Sequence, residues 1–554
     1  MDKKLPLISA GFVMLFCSCG PSPQPSTPPA PSTQSDAQSK AAQRTPKPGA
    51  FSREQLIADA RQLADILESA HPDPYINGGG RIAFHRRLHR VLNAIPDEGM
   101  TRDEFYRLLR PFIAGVGDAH TNLTGGYEVD RRRPGGVPLR LAVVEESLVV
   151  SGVAQRAHQD LLGARLVSVA GVSLAGLVER QRQLRGIDNQ YHGLHELAEQ
   201  SLWYGPYMQD LIPEWQDTSR VRVELKRPSG SIAAIELAQP ATPPSWITPK
   251  SRVQLPVPGD SGFLYAFLKA PASQKEIAYV RFTHMVGYRE TREGRDPILT
   301  KLTRPPSATG TFRSMVNEMK KRGTETLILD VRGNHGGDSL IVDILIYFLY
   351  GKETLLKMQG FGTGESGVFR YSRLYFADRP SQSLKAINAD RVVPLVEGDY
   401  EFSWSYVEGA PIAKRSKPPE EPPGFQYLRA STTFRPEFES GIYGGYYHPQ
   451  KVFVLCDAGT ASAGFSVVVG FHRLGAILVG TPSSQAPNSF GAAPIWKLNH
   501  TGIEGTVPMI AATHFPDNPE KAHVLPVDVP LTYERLVSFG FDPNAEYLLA
   551  LERR

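Results

Sequence analysis

After residue 50, this 554-residue chain has three consecutive regions that differ in the spacing of their hydrophobic positions. From 51 to about 117, apolar residues recur every three or four positions, which predicts amphipathic helices. Ser52 is placed to cap the first of these helices, and Thr101 with Glu104 forms a capping box before a later one. We therefore predict a small N-terminal helical domain over residues 51–125.

Between residues 134 and 245 the apolar runs become short and strand-like, as in "GGVPLRLAVVEESLVVSGV". This pattern predicts a small β-rich module. Residues 163–172, where a glycine turn precedes a strand and a second turn, resemble part of a PDZ domain. Another small β fold is a nearly equal alternative.

Strands and helices alternate over residues 250–550, which predicts an α/β core. The segment "TFRSMVNEMKKRG" reads as a helix that ends at Gly323, and residues 326–330 form a strand apolar enough for burial on both sides. A glycine turn then leads to a helix from about Asp338. Residues 355–448 lack long periodicity and are interpreted as an insertion that could cover a site.

The composition and the net charge of the chain exclude some classes of function. The chain is 41% hydrophobic and 21% charged, with a formal charge of +4 spread without a block of one sign, so nothing indicates nucleic-acid binding. Only three cysteines are present. With two of them in the N-terminal segment, Cys456 is left alone, which excludes a disulfide framework or a cysteine metal site. No metal or other cofactor is expected.

The N-terminal segment is typical of export. Lys3 and Lys4 precede an apolar stretch too short to span a bilayer, and small residues precede Cys19. We predict a signal peptide over residues 1–19, with Cys19 lipidated as in bacterial lipoproteins; ordinary signal cleavage is the alternative. Residues 20–50, rich in Pro and Ser, read as a disordered linker that would hold the folded part away from a membrane.

The stretch "CDAGTASAGFSVVVG" places Ser462 where an apolar strand passes through small residues into a helix. A serine at that junction can expose its Oγ, while its own amide or that of Ala463 faces a developing oxyanion. A simple helix cap is the usual role of such a serine. In "DVRGNHGG", Gly336 and Gly337 could add further oxyanion donors, although taken alone the stretch favours a plain tight turn.

A serine nucleophile needs a base within hydrogen-bond reach. The loop "GTPSSQAPNSFG" after Ser462 contains no lysine, so it cannot supply a Ser/Lys pair. His120, in "GDAHTN", is the preferred candidate because it lies among small residues at a domain edge. Three further histidines stay open as alternatives: His335, His514 and His523, whereas His472 is interpreted as a surface residue.

These pieces together resemble a known family. The stretches "VGDAHTNL", "LILDVRGNHGG", "TASAGF", "LVGTPSSQAPNSFG" and "HVLPVDVPLTYERL" occur in the order found in the tail-specific, or carboxyl-terminal processing, serine proteases. The sequence lacks the Gly-Lys-Gly loop of the lysine branch. In this respect it is similar to the histidine branch of that family, which includes the tricorn core and the interphotoreceptor retinoid-binding proteins. The resemblance implies a ClpP/crotonase-like α/β core and peptidase activity on proteins or peptides.

Residue by residue, the resemblance implies Ser462 as nucleophile, His120 as base, Glu520 as a supporting acid and Asn488 as a substrate contact. The oxyanion donors would be Ala463, Gly336 and Gly337.

The sequence also departs from the family pattern. Phe465 stands where many members carry Glu, Ala119 replaces the Ser before the histidine of tricorn-like sites, and Val527 is inserted in the Pro-Asp pair. A non-catalytic peptide- or apolar-ligand-binding protein on the same fold is the alternative function.

Overall fold

A computed structural model describes residues 49–127, 135–216, 219–239, 244–259, 262–270, 274–285, 308–351, 354, 366–379, 382–389, 391–402 and 447–553. Its α-helices are Arg53–Ala70, Gly80–Ala94, Arg102–Ala114, Leu174–Leu184, Gln190–Glu196, Gly205–Leu211, Ala308–Arg322, Leu340–Tyr350, Arg373–Asp378, Leu384–Ile387, Ala463–Arg473, Pro519–His523, Tyr533–Ser538 and Ala545–Glu552. No helix in these ranges combines the length and the apolar character needed to cross a bilayer. Cys19 and the expected signal and linker up to residue 48 lie outside the described residues.

The N-terminal region is helical, as its period predicts. Its first three helices bury leucine and phenylalanine faces against one another in a common core. The capping box of Thr101 and Glu104 is confirmed, since the Thr101 side chain accepts from the Glu104 amide and the Glu104 side chain accepts from the Thr101 amide. A late part of the chain joins this region, because strand Glu504–Thr506 pairs with strand Asn122–Thr124.

The second region is an antiparallel sheet flanked by helices. Its strands are Leu139–Val144, Ser147–Val153, Arg165–Val169, Val172–Ser173, Arg220–Lys226 and Ile232–Ala238. The helices between residues 174 and 211 bury their apolar faces against it. Strand, turn, short strand and helix follow one another over residues 165–184 as the sequence pattern predicts, whereas the PDZ resemblance stays a prediction.

The core is a six-stranded sheet whose inner strands run parallel. In spatial order the strands are Phe263–Lys269, Glu276–Phe282, Thr326–Asp330, Lys451–Cys456, Ile477–Gly480 and Val529–Pro530. The first pair is antiparallel and the remaining neighbours are parallel. All five residues of Thr326–Asp330 are buried, because helices cover both faces of the sheet. The predicted α/β class is confirmed.

The described parts of the predicted insertion have structure of their own. Strand Ser366–Arg370 pairs with Tyr400–Phe402 on one side and with Ile510–Thr513 on the other, and Ser489–Gly491 completes this small sheet. Its Arg370 side chain donates to the carbonyl of His71 at 2.7 Å. The insertion therefore packs against the end of the first helix of the N-terminal region.

Candidate active site

Two turns meet at the carboxyl edge of the core sheet. Strands Thr326–Asp330 and Lys451–Cys456 are parallel neighbours with Asp330 opposite Leu455. Carboxyl ends of parallel strands lie at one edge of a sheet, so the turns that follow them come together. This pairing places the "NHGG" turn beside Ser462, although the two are far apart in sequence.

Hydrogen bonds fix the two turns to each other. The Ala461 amide donates to the Asn334 carbonyl at 2.9 Å. The Asp457 carboxylate accepts from the Gly333 amide at 2.7 Å across the turns and from the Gly459 amide at 2.9 Å within its own. The backbone around Ser462 is therefore held from both sides.

Ser462 has a strained backbone. It is the residue before helix Ala463–Arg473 and has φ 51° and ψ −126°, a conformation that L-residues rarely adopt and that often marks functional positions. Its amide donates to Oε1 of Gln485 at 2.5 Å, and Nε2 of Gln485 donates to Oγ of Ser489 at 3.2 Å. The Ser462 amide is thus occupied and is not an oxyanion donor in this state.

The glycine turn touches the serine directly. A Cβ built on Gly336 would lie 2.4 Å from the Ser462 Cβ and 2.8 Å from the Ala463 amide nitrogen. The Gly336 amide, however, donates to Oδ1 of Asn334 at 2.8 Å. Gly336 therefore supplies the space beside Ser462 and not a free donor. The amides of Ala463 and Gly337 form no hydrogen bond to the other described residues.

His120 lies in a turn organised by a buried carboxylate. Asp118 accepts the amides of His120 at 2.8 Å and Thr121 at 2.9 Å, the Thr121 hydroxyl at 2.5 Å, and Nε2 of His71 at 3.1 Å. Burial raises the pKa of Asp118, but the hydrogen bonds from His71 and Thr121 outweigh it, so its pKa is lowered overall. The Asp118 carboxylate is therefore a negative anchor for the turn.

A short bridge connects the His120 turn to the loop that holds Ser462. The Ala119 amide donates to Oδ1 of Asp188 at 2.8 Å. The next residue, Asn189, donates through Nδ2 to the carbonyls of Ser483 and His523, both at 3.2 Å. Ser483 precedes Gln485 by two positions. Even so, His120 and Ser462 form no hydrogen bond with each other among the described residues.

Two of the predicted residues have other surroundings. Glu520 is exposed in the short helix Pro519–His523, and its carboxylate makes no hydrogen bond to His120 within the described ranges. The Asn488 side chain accepts the amides of His514 and Phe515 and donates to the Phe515 carbonyl. These bonds hold the adjacent loop and occupy the polar atoms of the Asn488 side chain. A substrate that contacts Asn488 would have to replace these hydrogen bonds.

The other histidines have different roles. His335 follows Asn334 in the glycine turn, and its ring lies 5.4 Å from that of His195. Burial lowers the pKa of His195 to about 4 and that of His514 to about 3, so both are neutral at pH 7. Neither donates to Ser462 in the described part of the chain. Within those same residues, no cluster of three or more His, Cys, Asp or Glu side chains is arranged for a metal ion.

The sequence interpretation missed Gln485 and Asp188. Gln485 lies in the quoted loop "GTPSSQAPNSFG", in the region where the lysine branch of the family carries its base, so its proximity to Ser462 could have been anticipated. Asp188 carries no local signal, because it lies in a connection between two helices of the second region.

Comparison with known proteins adds three findings. Residues 276–492 match the model of peptidase family S41. The structure of mature CPAF matches with a TM-score of 0.54 at 13% identity, covering 90% of this chain and 96% of that one. Mature CPAF complexed with lactacystin matches with a TM-score of 0.53 at 14% identity, covering 90% and 98%. At these identities the likeness shows a shared fold. A search of curated protein sequences finds no match.

Proposed function

Residues 276–492 match the model of peptidase family S41, and from that premise we propose that this chain hydrolyses peptide bonds of proteins or peptides through a Ser462/His120 acyl-enzyme mechanism. His120 takes the proton of the Ser462 hydroxyl as Oγ attacks the carbonyl carbon of the substrate. His120 then returns the proton to the leaving amine, and a water molecule, activated by the same imidazole, hydrolyses the acyl-enzyme.

The observation that carries this proposal is the conformation of Ser462. A serine with φ 51° at a helix start, pressed against a glycine with no side chain, costs conformational energy. A helix-capping role does not require that strain, and the Ser462 side chain accepts no hydrogen bond from an amide of its helix. Strain of this kind is expected where Oγ must project into an open site.

The proposed oxyanion donors are the amides of Ala463 and Gly337. Ala463 begins its helix, so its amide has no partner within the helix and carries the positive end of the helix dipole. Gly337 replaces Gly336 in this role, because the Gly336 amide is bonded to Asn334. Each donor is worth roughly 3 kcal/mol in the transition state.

The test is Ser462→Ala with fluorophosphonate labelling and hydrolysis of an unfolded protein such as labelled casein. The variant should lose both. Ser466→Ala is the matched control, since it removes another hydroxyl of the same helix, whose Oγ donates back to the Ser462 carbonyl at 3.5 Å. Turnover by Ser462→Ala at the wild-type rate would refute the mechanism.

A non-catalytic binding protein is the second candidate. It is favoured by one observation, that Ser462 and His120 share no hydrogen bond among the described residues. Catalytic hydrogen bonds are often long before substrate binds, which is why we rank the peptidase first. A chain that resists labelling and co-purifies with a peptide or apolar ligand would reverse this order.

We also propose that the protein is exported and held in the bacterial envelope by a lipid on Cys19. The support is the sequence of residues 1–50. Cys19→Ala should move the protein from the membrane to the soluble fraction of the cell envelope. Membrane retention of that variant would favour a different anchor.

A further inference from the structure

Asp188 lies directly against the turn that carries His120. Its Oδ1 accepts the Ala119 amide at 2.8 Å. Two residues earlier, a Cβ built on Gly186 would lie 2.2 Å from the Asp118 carbonyl oxygen, so the two backbones touch with no room for a side chain. The Asp188 carboxyl group is therefore fixed against the amide of Ala119, the residue that precedes His120.

His120 and Asp188 each have one buried polar side-chain atom with no hydrogen-bond partner among the residues that the structure describes. The atoms are Nδ1 of His120 and Oδ2 of Asp188. Buried polar atoms are nearly always hydrogen-bonded in native proteins. The two atoms are complementary, because a neutral imidazole can donate from Nδ1 and a carboxylate oxygen can accept.

The other carboxylate beside His120 cannot take this role. Asp118 already accepts four hydrogen bonds, from the His120 and Thr121 amides, the Thr121 hydroxyl and His71. The His71 ring accepts the Asp73 amide at Nδ1, so its proton lies on Nε2 and faces Asp118. Asp118 therefore holds the backbone of the turn and has no free acceptor for the His120 ring.

The remaining ionisable neighbour of Asp188 is His192. Its Nδ1 accepts the Asp188 amide at 3.2 Å, and its Nε2 lies 3.7 Å from Glu196. The proton of a neutral His192 is thus on Nε2, directed to Glu196 and away from Asp188. Burial raises the pKa of Asp188, while His192 and His120 act in the opposite direction, so a positive charge on His120 would be favourable for the pair.

We propose that Asp188 is the positioning residue of the Ser462/His120 pair, its Oδ2 accepting the Nδ1 proton of His120 when the site closes on substrate. That bond fixes the tautomer in which Nε2 is unprotonated and able to accept the Ser462 proton. After the transfer, the carboxylate stabilises the imidazolium. The inference rests on the proposed function and assigns to Asp188 the role that the family resemblance implied for Glu520.

The test compares Asp188→Asn with wild type over a range of pH, measuring both fluorophosphonate labelling and casein hydrolysis. Asn keeps an oxygen for the Ala119 amide and removes the charge. We expect kcat to fall by roughly 100-fold or more with little change in KM, in line with the usual contribution of general acid–base catalysis. Because Asn does not stabilise a positively charged imidazole, the acidic limb of the kcat/KM profile should move to lower pH.

Asp59→Asn is the matched control. Asp59 is another buried carboxylate that accepts two amides and a hydroxyl, from His500 and Thr501. This variant should be destabilised, yet its pH profile should overlay that of wild type. A folding defect alone therefore cannot imitate the expected result.

Two results would overturn the assignment. One is an Asp188→Asn profile that overlays wild type; the other is a Glu520→Gln variant that shifts the acidic limb while Asp188→Asn does not. A wild-type chain that neither labels nor hydrolyses would overturn the Ser462 mechanism itself, and the two failures are thus distinguishable.

If Asp188→Asn does not fold, NMR of the wild-type chain with an inhibitor bound gives the same answer. A downfield Nδ1 proton that His120→Gln abolishes supports the bond, and its absence refutes it.

Discussion

Replacing Gly336 with alanine tests whether the glycine turn makes room for Ser462, the proposed nucleophile. The new methyl carbon would lie 2.4 Å from the Ser462 Cβ, 2.8 Å from the Ala463 nitrogen and 2.9 Å from the Ser462 Oγ. Cβ atoms do not approach other atoms this closely, so either the turn or the start of the helix must shift.

The expected cost has two parts. Overpacking in a closely packed site costs about 1–3 kcal/mol. Gly336 also has φ +108°, where an L-residue adds strain of roughly 1–3 kcal/mol. The variant should therefore lose about 2–6 kcal/mol of unfolding free energy in urea titrations. Its labelling rate should fall at least 100-fold, because displacing Ser462 by a fraction of an ångström misaligns the attack.

Gly475→Ala separates the two contributions. Gly475 also has positive φ, +81°, but no atom of the described residues lies within 4 Å of a Cβ built on it. It should lose stability through strain alone and label at the wild-type rate. The reasoning fails if Gly336→Ala labels as fast as wild type, or if the two variants are equally destabilised.

Three further predictions concern groups around the site. Gln485→Leu should leave the Ser462 amide unpaired, which should cost about 1–3 kcal/mol of stability and slow fluorophosphonate labelling. Gln485→Glu keeps an acceptor and should retain more activity. Equal labelling rates of the two variants would contradict this reasoning. The pKa of His514 is lowered by burial to about 3, so the unfolded chain binds its proton first. The contribution of neutral His514 to the free energy of unfolding should be complete above pH 6.5 and should be lost as pH drops toward 3, at roughly 1.4 kcal/mol per pKa unit. In urea titrations at acid pH, His514→Gln should remove this part of the decline. Asp330→Asn should cost about 3–5 kcal/mol by urea titration, because Arg332 bonds Asp330 at 2.7 Å in a buried pair and would keep only the carboxylate of Glu546, at 2.6 Å, as a charged partner. A loss under 1 kcal/mol would show that the Asp330 charge is dispensable.

Local patterns were sufficient for much of the architecture. Helical periodicity and the Thr101 capping box located helix Arg102–Ala114, since both signals act within one turn of the chain. The apolar run at Thr326–Asp330 predicted a strand buried on both faces. Ser462 was located before its helix by the small residues that surround it.

Other features depend on contacts that no local pattern encodes. Parallel pairing of two strands brings Gly336 against Ser462, and the occupied Gly336 amide is visible only once Asn334 has a position. Asp188 is an ordinary loop residue until the second region packs against the His120 turn.

The physical reason is the range of the forces involved. Periodicity, caps and turn residues act through neighbouring backbone atoms, so the sequence alone determines the helices, the buried strands and the place of Ser462 before its helix. Which amide, ring nitrogen or carboxylate is left without a partner depends on how separate elements pack and on which donors are consumed in doing so. The tertiary structure alone decided that Gln485 holds the Ser462 amide and that the carboxyl group of Asp188, with its Oδ2 buried, lies beside the His120 turn.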